Sequence, residues 1–266
     1  MLKLATTLCA LSVIAGSIPG FAARHEIDQA IVRLEGGFPY KITKSGSYKL
    51  TSNLMVPAGK DGIEILANDV TIDLNGFGII GPIECTTFPT SCPTASTGIG
   101  IKNGDVGTLG FGDTKVMNGF IRGMGSHGID IIGDGSLVEK VSSQGNAGVG
   151  IIVEGTVTES SAIGNGESGI LALIVNNSEA AFNVQDGIIL DGRGGVALNV
   201  VSSDNGRNGI DAENASVTGS TITLNKGIGI SAVCPSAILN NTIVANTTSF
   251  QGDRPGCVLE NNGTRP

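Results

Sequence analysis

Residues 186–231 read DGIILDGRGGVALNVVSSDNGRNGIDAENASVTGSTITLNKGIGIS. Three segments in it open with Gly followed by Ile, at Gly187, Gly209 and Gly227. The pattern extends outward through DGIEI, TGIGI, HGIDI, AGVGI and SGILA, so that the first glycines of eight segments are Gly62, Gly98, Gly128, Gly148, Gly169, Gly187, Gly209 and Gly227. The last five intervals are 20, 21, 18, 22 and 18 residues. A period near twenty is one turn of a β-helix or one short leucine-rich repeat. Ile and Val alternate with period two, Gly and Asn mark the turns, and the leucine-rich consensus is missing, which selects strands.

Inside each repeat a second strand patch follows, such as VTIDL, LVEKV, VALNV or VTGST, and then a turn rich in Ser, Gly and Asn. Turn asparagines recur at Asn146, Asn165, Asn205, Asn225 and Asn246, with gaps of 19, 40, 20 and 21. The gap of 40 reads as two coils with one Asn missing. Asparagine tolerates the αL backbone of a sharp corner and can pass a hydrogen bond to the next coil, so the row reads as an internal structural ladder.

The expected architecture is therefore all-β: a single-stranded right-handed parallel β-helix of about eight coils, roughly 40 Å long at about 4.8 Å per coil. Both ends of such a column need covers. Ile27, Ile31 and Leu34 stand at helical spacing in EIDQAIVRL and predict a short amino-terminal cap helix. The segment from Ile243 to Pro266 is the expected carboxyl-terminal closure.

Lys3, an apolar stretch from Leu4 to Ile18 and the small residues ending Gly20-Phe21-Ala22 read as a cleavable export signal. The expected organisation is a signal peptide at 1–22, a cap at 23–60, the β-helix at 61–250 and a tail at 251–266, in a secreted or periplasmic protein without a membrane span. Cys9 leaves with the signal. Cys85, Cys92, Cys234 and Cys257 remain, and in an oxidising compartment local pairing within each close couple is the economical choice among three connectivities. Zinc ligation is the alternative, without any Cys-x-x-Cys to recommend it.

The 266-residue chain has 24 acidic and 16 basic residues; removal of Lys3 leaves a net charge of −9, which argues against nucleic acid as a partner. With no Trp and two Tyr, it lacks the aromatic platforms of many sugar-binding modules.

The stretches GFPYKITKSGSYKLTSNLMVP and DGIEILANDVTIDLNGFGIIGP resemble the opening of bacterial right-handed parallel β-helix repeat proteins of the pectin-lyase-like superfamily. The resemblance covers nearly the whole mature chain. It implies the fold, and it implies a polysaccharide or oligosaccharide as partner, because the superfamily includes pectate lyases, polygalacturonases, alginate epimerases and phage tailspikes. It also includes a periplasmic protein that matures a copper site, for which Met and His are scarce here. Ser126-His127-Gly128-Ile129 resembles one polygalacturonase motif, and the other three have no counterpart. The Asp-Pro-His of alginate epimerases and the Arg-x-Pro-x-x-Arg of pectate lyases are absent.

Outward positions of the Gly-Ile strands stack as columns. One reads Glu64, Gly100, Asp130, Gly150, Leu171, Ile189, Asp211, Gly229, and the next Leu66, Lys102, Ile132, Ile152, Leu173, Asp191, Glu213, Ser231. Two polar islands result. The first joins Glu64, Lys102, His127 and Asp130, with Arg122 from a neighbouring loop, beside the two longest intervals of 36 and 30 residues. These are the catalytic candidates: His127 or Lys102 as base and Arg122 as stabilising cation for a lyase or epimerase, or Glu64 and Asp130 as the carboxylate pair of a hydrolase. The second gathers Asp186, Asp191, Asp211 and Glu213, stacked like charges that a Ca2+ ion would relieve; pairing with Arg193 and Arg207 is the competing explanation. The sequence thus predicts an exported β-helix that binds a polysaccharide without an identifiable catalytic set, with a lyase, epimerase or hydrolase of an acidic glycan as the alternative.

Overall fold

A computed structural model describes residues 24–87, 90–93, 96–104, 110–252 and 256–265. The expected signal peptide lies outside the described residues, as does part of the tail. Among the described residues the chain is nearly all strand, wound into a parallel β-helix of about 11 turns. Among the described residues every strand pairing is parallel except one small antiparallel pair, Thr86–Thr87 with Thr90–Ser91.

The chain passes three faces per turn. Ile129–Ile131 lies on the first face and stacks on Ile101–Asn103. The next strand, Leu137–Gln144, supplies the second face with its first half, where Val138 registers with Val116, and the third with its second half, where Ser143 registers with Ile121. Inward Ile and Val fill the column: Ile63, Ile101, Ile129, Ile151, Ile170, Ile188, Ile210 and Ile230 are fully buried on the first face alone. Each such burial contributes about 1.5–3 kcal/mol, and the sum closes a single core from Ile27 to Ile243.

The turn count exceeds the expected eight in part because Tyr40–Ile42 and Thr248–Gly252 also pair on the first face but lack a Gly-Ile opening. The segment 23–60, expected as a cap, already contributes stacked strands: His25–Ile27 pairs with Gly46–Leu50, which pairs with Val70–Asp73. A helix is present too, α1 at Gln29–Leu34, but it buries Val32. Ile27, expected on the helix, is a buried strand residue, and Leu34 is 86% exposed. The reason is Asp28, whose side chain accepts the Ala30 and Ile31 N–H groups at 2.7 and 2.8 Å and starts the helix two residues after Ile27. Gln29 Oε1 accepts the Met55 N–H at 2.7 Å and ties the helix to the first coils.

Cysteines pair as Cys85–Cys92 and Cys234–Cys257. The first closes a loop that lies against the turns between the third and first faces: Ile83 N–H donates to Gly123 O at 2.8 Å and Ser96 N–H to Gly125 O at 2.6 Å. Among the described residues, no helix is long and apolar enough to cross a membrane.

Candidate functional site on the first face

Register decides which side chains are neighbours, and it differs from the reading of two columns. Ile101, not Ile99, stacks between Ile63 and Ile129; likewise Ile151 stacks on Ile129 and Ile230 on Ile210. In coils that contain Gly-Ile-Gly-Ile or Gly-Val-Gly-Ile, the second glycine takes the register position of Gly62. Backbones approach closely there: a Cβ on Gly100 or Gly169 would meet the carbonyl oxygen of the next coil's glycine, at 2.6 Å in the case of Gly169 and Gly187. The two columns therefore merge into one, running Lys41, Glu64, Lys102, Asp130, Ile152, Leu171, Ile189, Asp211, Ser231 and Gln251.

Its amino-terminal end alternates in charge. Lys41 Nζ lies 3.4 Å from Glu64 Oε2, and Lys102 Nζ lies 3.7 Å from Glu64 Oε1 and 3.1 Å from Asp61 Oδ2. Opposite charges one rung apart stabilise the stack. Asp61 and Lys41 were absent from the expected set; the signal for Asp61 was its place directly before the Gly62 of the glycine column.

Asp130 breaks the pattern. It registers beside Lys102 on one side and the apolar Ile152 on the other. Its carboxyl is without a hydrogen bond or close ion pair among the described residues. Burial pushes its pKa up, and the nearby His127 and Lys102 offset this in part.

His127 lies in the turn before the strand, where its Nδ1 accepts the Val149 N–H at 3.0 Å. The same position in other coils is filled by Asp61, Asp186 and Asn208, each accepting the N–H of its counterpart one coil on: Ile99 at 2.8 Å, Asn208 at 2.9 Å and Ile228 at 3.0 Å. His127 thus has a structural duty on Nδ1; with Nδ1 accepting, the neutral ring's proton is assigned to Nε2. The structure brings Glu64, Lys102, Asp130 and His127 together. Arg122 stands apart: it is not a loop residue but the end of the strand Lys115–Arg122, on the third face, with Ile80 and Gln144 as rung neighbours.

The second island is organised by arginines. Arg207 lies 3.2 Å from Asp186, and Arg193 lies 2.7 Å from Asp191 and 3.7 Å from Glu154. The Asp191 carboxyl is held below its ordinary range by Arg193. Asp211 is pushed up, first by burial and then by Asp186, with Arg207 opposing. Glu213 is exposed one strand position after Ala212. Among the described residues, no group of three or more His, Cys, Asp or Glu is placed to hold a metal ion, and Asp186 and Asp191 each pair with an arginine.

Comparison with known proteins follows this geometry. No family model and no curated protein match the chain. Among solved structures, the A-module of Azotobacter vinelandii mannuronan C-5 epimerase AlgE4 superposes with a TM-score of 0.53 at 16% identity, covering 92% of this chain and 93% of that one. A double mutant of the periplasmic alginate epimerase AlgG gives 0.50 at 12% identity, covering 85% and 76%. The chain has the parallel β-helix fold of these structures. At these identities the likeness is one of fold, and function is argued from the residues themselves.

Proposed function

We propose that this β-helix is exported and acts on an acidic polysaccharide at the amino-terminal half of the first face, by proton transfer at the carbon next to a sugar carboxylate. One observation carries the reading: Asp130, half-buried, makes no hydrogen bond or close ion pair among the described residues although it stands between Lys102 and His127, whereas Glu64 in the same column is paired twice. A purely structural charge ladder would have paired it. A carboxylate whose proton affinity is raised by burial is suited to take a proton as general base.

In this scheme Asp130 removes the proton, the electron pair moves into the sugar carboxylate, and the Lys102 ammonium stabilises the charge that develops. In a lyase the proton taken by Asp130 passes to the departing glycosidic oxygen, and in an epimerase a water delivers a proton to the opposite face of the carbon; His127 Nε2–H keeps its proton and positions the sugar by a hydrogen bond. Hydrolysis by Glu64 and Asp130 is less well supported, because Glu64 is tied to two lysines. The names of the two similar structures, epimerases of mannuronan and alginate, accord with a polyuronate, and the leader-like start with two disulfides accords with export. Binding without turnover is the second reading, favoured by the ion pairs that anchor Lys102.

The test is turnover across a panel of polyuronates, following unsaturated product by ultraviolet absorbance and residue configuration by NMR. Asp130→Asn is expected to lose a factor of about 100 or more. His127→Asn keeps a backbone acceptor, as Asn208 does naturally, and is expected to lose activity while melting as the parent does. Silence across the panel, or full activity in Asp130→Asn, overturns the catalytic reading.

A further inference from the structure

A second groove, of about 650 Å³, runs along the third face. Its floor is the outward column Met55, Ile80, Arg122, Gln144 and Ile163, stacked in that order by the register. Five rungs span about 19 Å at the usual strand spacing. One wall is the stretch from Pro82 to Cys85, held by the Ile83 to Gly123 hydrogen bond at 2.8 Å and by the Cys85–Cys92 bridge.

Arg122 is the distinctive group in it. Its guanidinium sits 5.6 Å over the Phe120 ring. That ring in turn lies over Gly78 on the preceding rung, where any Cβ would collide with it. Among the described residues the guanidinium has neither a hydrogen bond nor an ion pair; Glu84, exposed at the rim, makes none with it. In a chain with excess acid, where Arg193 and Arg207 are both paired, this arginine is preorganised on an aromatic platform yet uncommitted.

The surroundings define what would fit. A guanidinium recognises a planar carboxylate with two parallel hydrogen bonds. Met55, Ile80 and Ile163 present apolar surface along the same line, suited to the C–H faces of sugar rings. Gln144, its Nε2 donating to Ser142 Oγ at 2.7 Å, keeps its carbonyl oxygen for a hydroxyl. We propose that this groove is a binding subsite, separate from the Asp130 column, for a carboxylate-bearing sugar of an acidic oligosaccharide, with Arg122 as its anchor. The choice of ligand rests on the polyuronate reading of the first face; the groove itself does not.

The experiment titrates the mature protein with short oligouronates and with their carboxyl-reduced neutral counterparts, by calorimetry and by NMR. Oligouronates are expected to bind and to shift Ile80, Gln144 and Ile163, and the neutral forms to bind at least tenfold more weakly. Arg122→Gln is expected to lose tenfold or more, Arg122→Lys to recover part of it, and Arg193→Gln, outside both sites, to bind as the parent does. Thermal melting shows that the exposed Arg122 variants are folded. Unchanged affinity in Arg122→Gln, shifts confined to the first face, or no oligouronate binding at all overturns the subsite. Turnover that is absent or insensitive to Asp130→Asn overturns the catalytic reading instead, and leaves binding in the groove to be judged by the Arg122 variants.

Discussion

Asn165 and Asn183, 18 residues apart, are joined side chain to side chain: Asn165 Nδ2 donates to Asn183 Oδ1 at 3.0 Å. Asn183 fills the rung that the spacing of 40 had left empty, and the buried ladder runs unbroken through Asn146, Asn165, Asn183, Asn205, Asn225 and Asn246.

Asn183 Oδ1 also accepts the Asn165 N–H, and its amide donates to Ala162 O and Asn205 Oδ1. Asn183→Leu keeps the volume but strands these buried groups. The expected loss is about 3–5 kcal/mol, several unpaired groups at about 1–3 kcal/mol each, partly relaxed. Urea unfolding reads it; a loss below about 1 kcal/mol shows that the ladder is dispensable.

Gly169→Ala would place a Cβ 2.6 Å from Gly187 O and from Asn183 Nδ2. Backbone cannot step aside cheaply, so the substitution is expected to cost about 1–3 kcal/mol. A melting temperature equal to that of the parent contradicts the close-approach account of the glycine column.

Asp211 has its pKa raised above the ordinary 3.8 by burial and by Asp186. The fold therefore favours the protonated carboxyl, and its stabilising contribution is lost as pH climbs from about 3.8 through the raised value. Asp211→Asn is expected to melt higher than the parent near neutrality, the difference vanishing in more acid solution. Arg207→Gln, which removes the partner of Asp186, is expected to cost about 1 kcal/mol, and less when combined with Asp211→Asn. Melting curves of the four proteins against pH would show additivity if the sites are independent.

Cys234–Cys257 closes a segment with a sequence separation of 23, worth about 3 kcal/mol in chain entropy. Because each coil contacts only its neighbours, replacing both cysteines with serine is expected to open the last coil first, exposing Val258–Glu260 to protease while the earlier coils persist. Protection of the tail equal to the parent's counts against this.

Fold class was legible because a period of about twenty and a period-two alternation of Ile and Val are properties of the chain itself. The two cysteine pairs were legible for the same reason, being close in sequence. Asn183 was missed, although it stands 18 residues after Asn165 and 22 before Asn205, because coil lengths vary and a strict spacing skips it. The polar neighbourhood of Glu64, Lys102, His127 and Asp130 was found, but as parts of two columns rather than one.

The sequence by itself determined that the chain winds into stacked parallel strands with an Asn ladder and a buried aliphatic column, since those follow from local alternation and turn chemistry. Only the tertiary structure decided the register. A shift of two residues keeps every Ile inward, so hydrophobic pattern cannot choose between Gly98 and Gly100; the pairing of Ile101 with Ile63 and Ile129 does. That choice places Lys102 beside Asp130 and sets the Val149 N–H against His127, while the separate pairing of the strand Lys115–Arg122 carries Arg122 to another face.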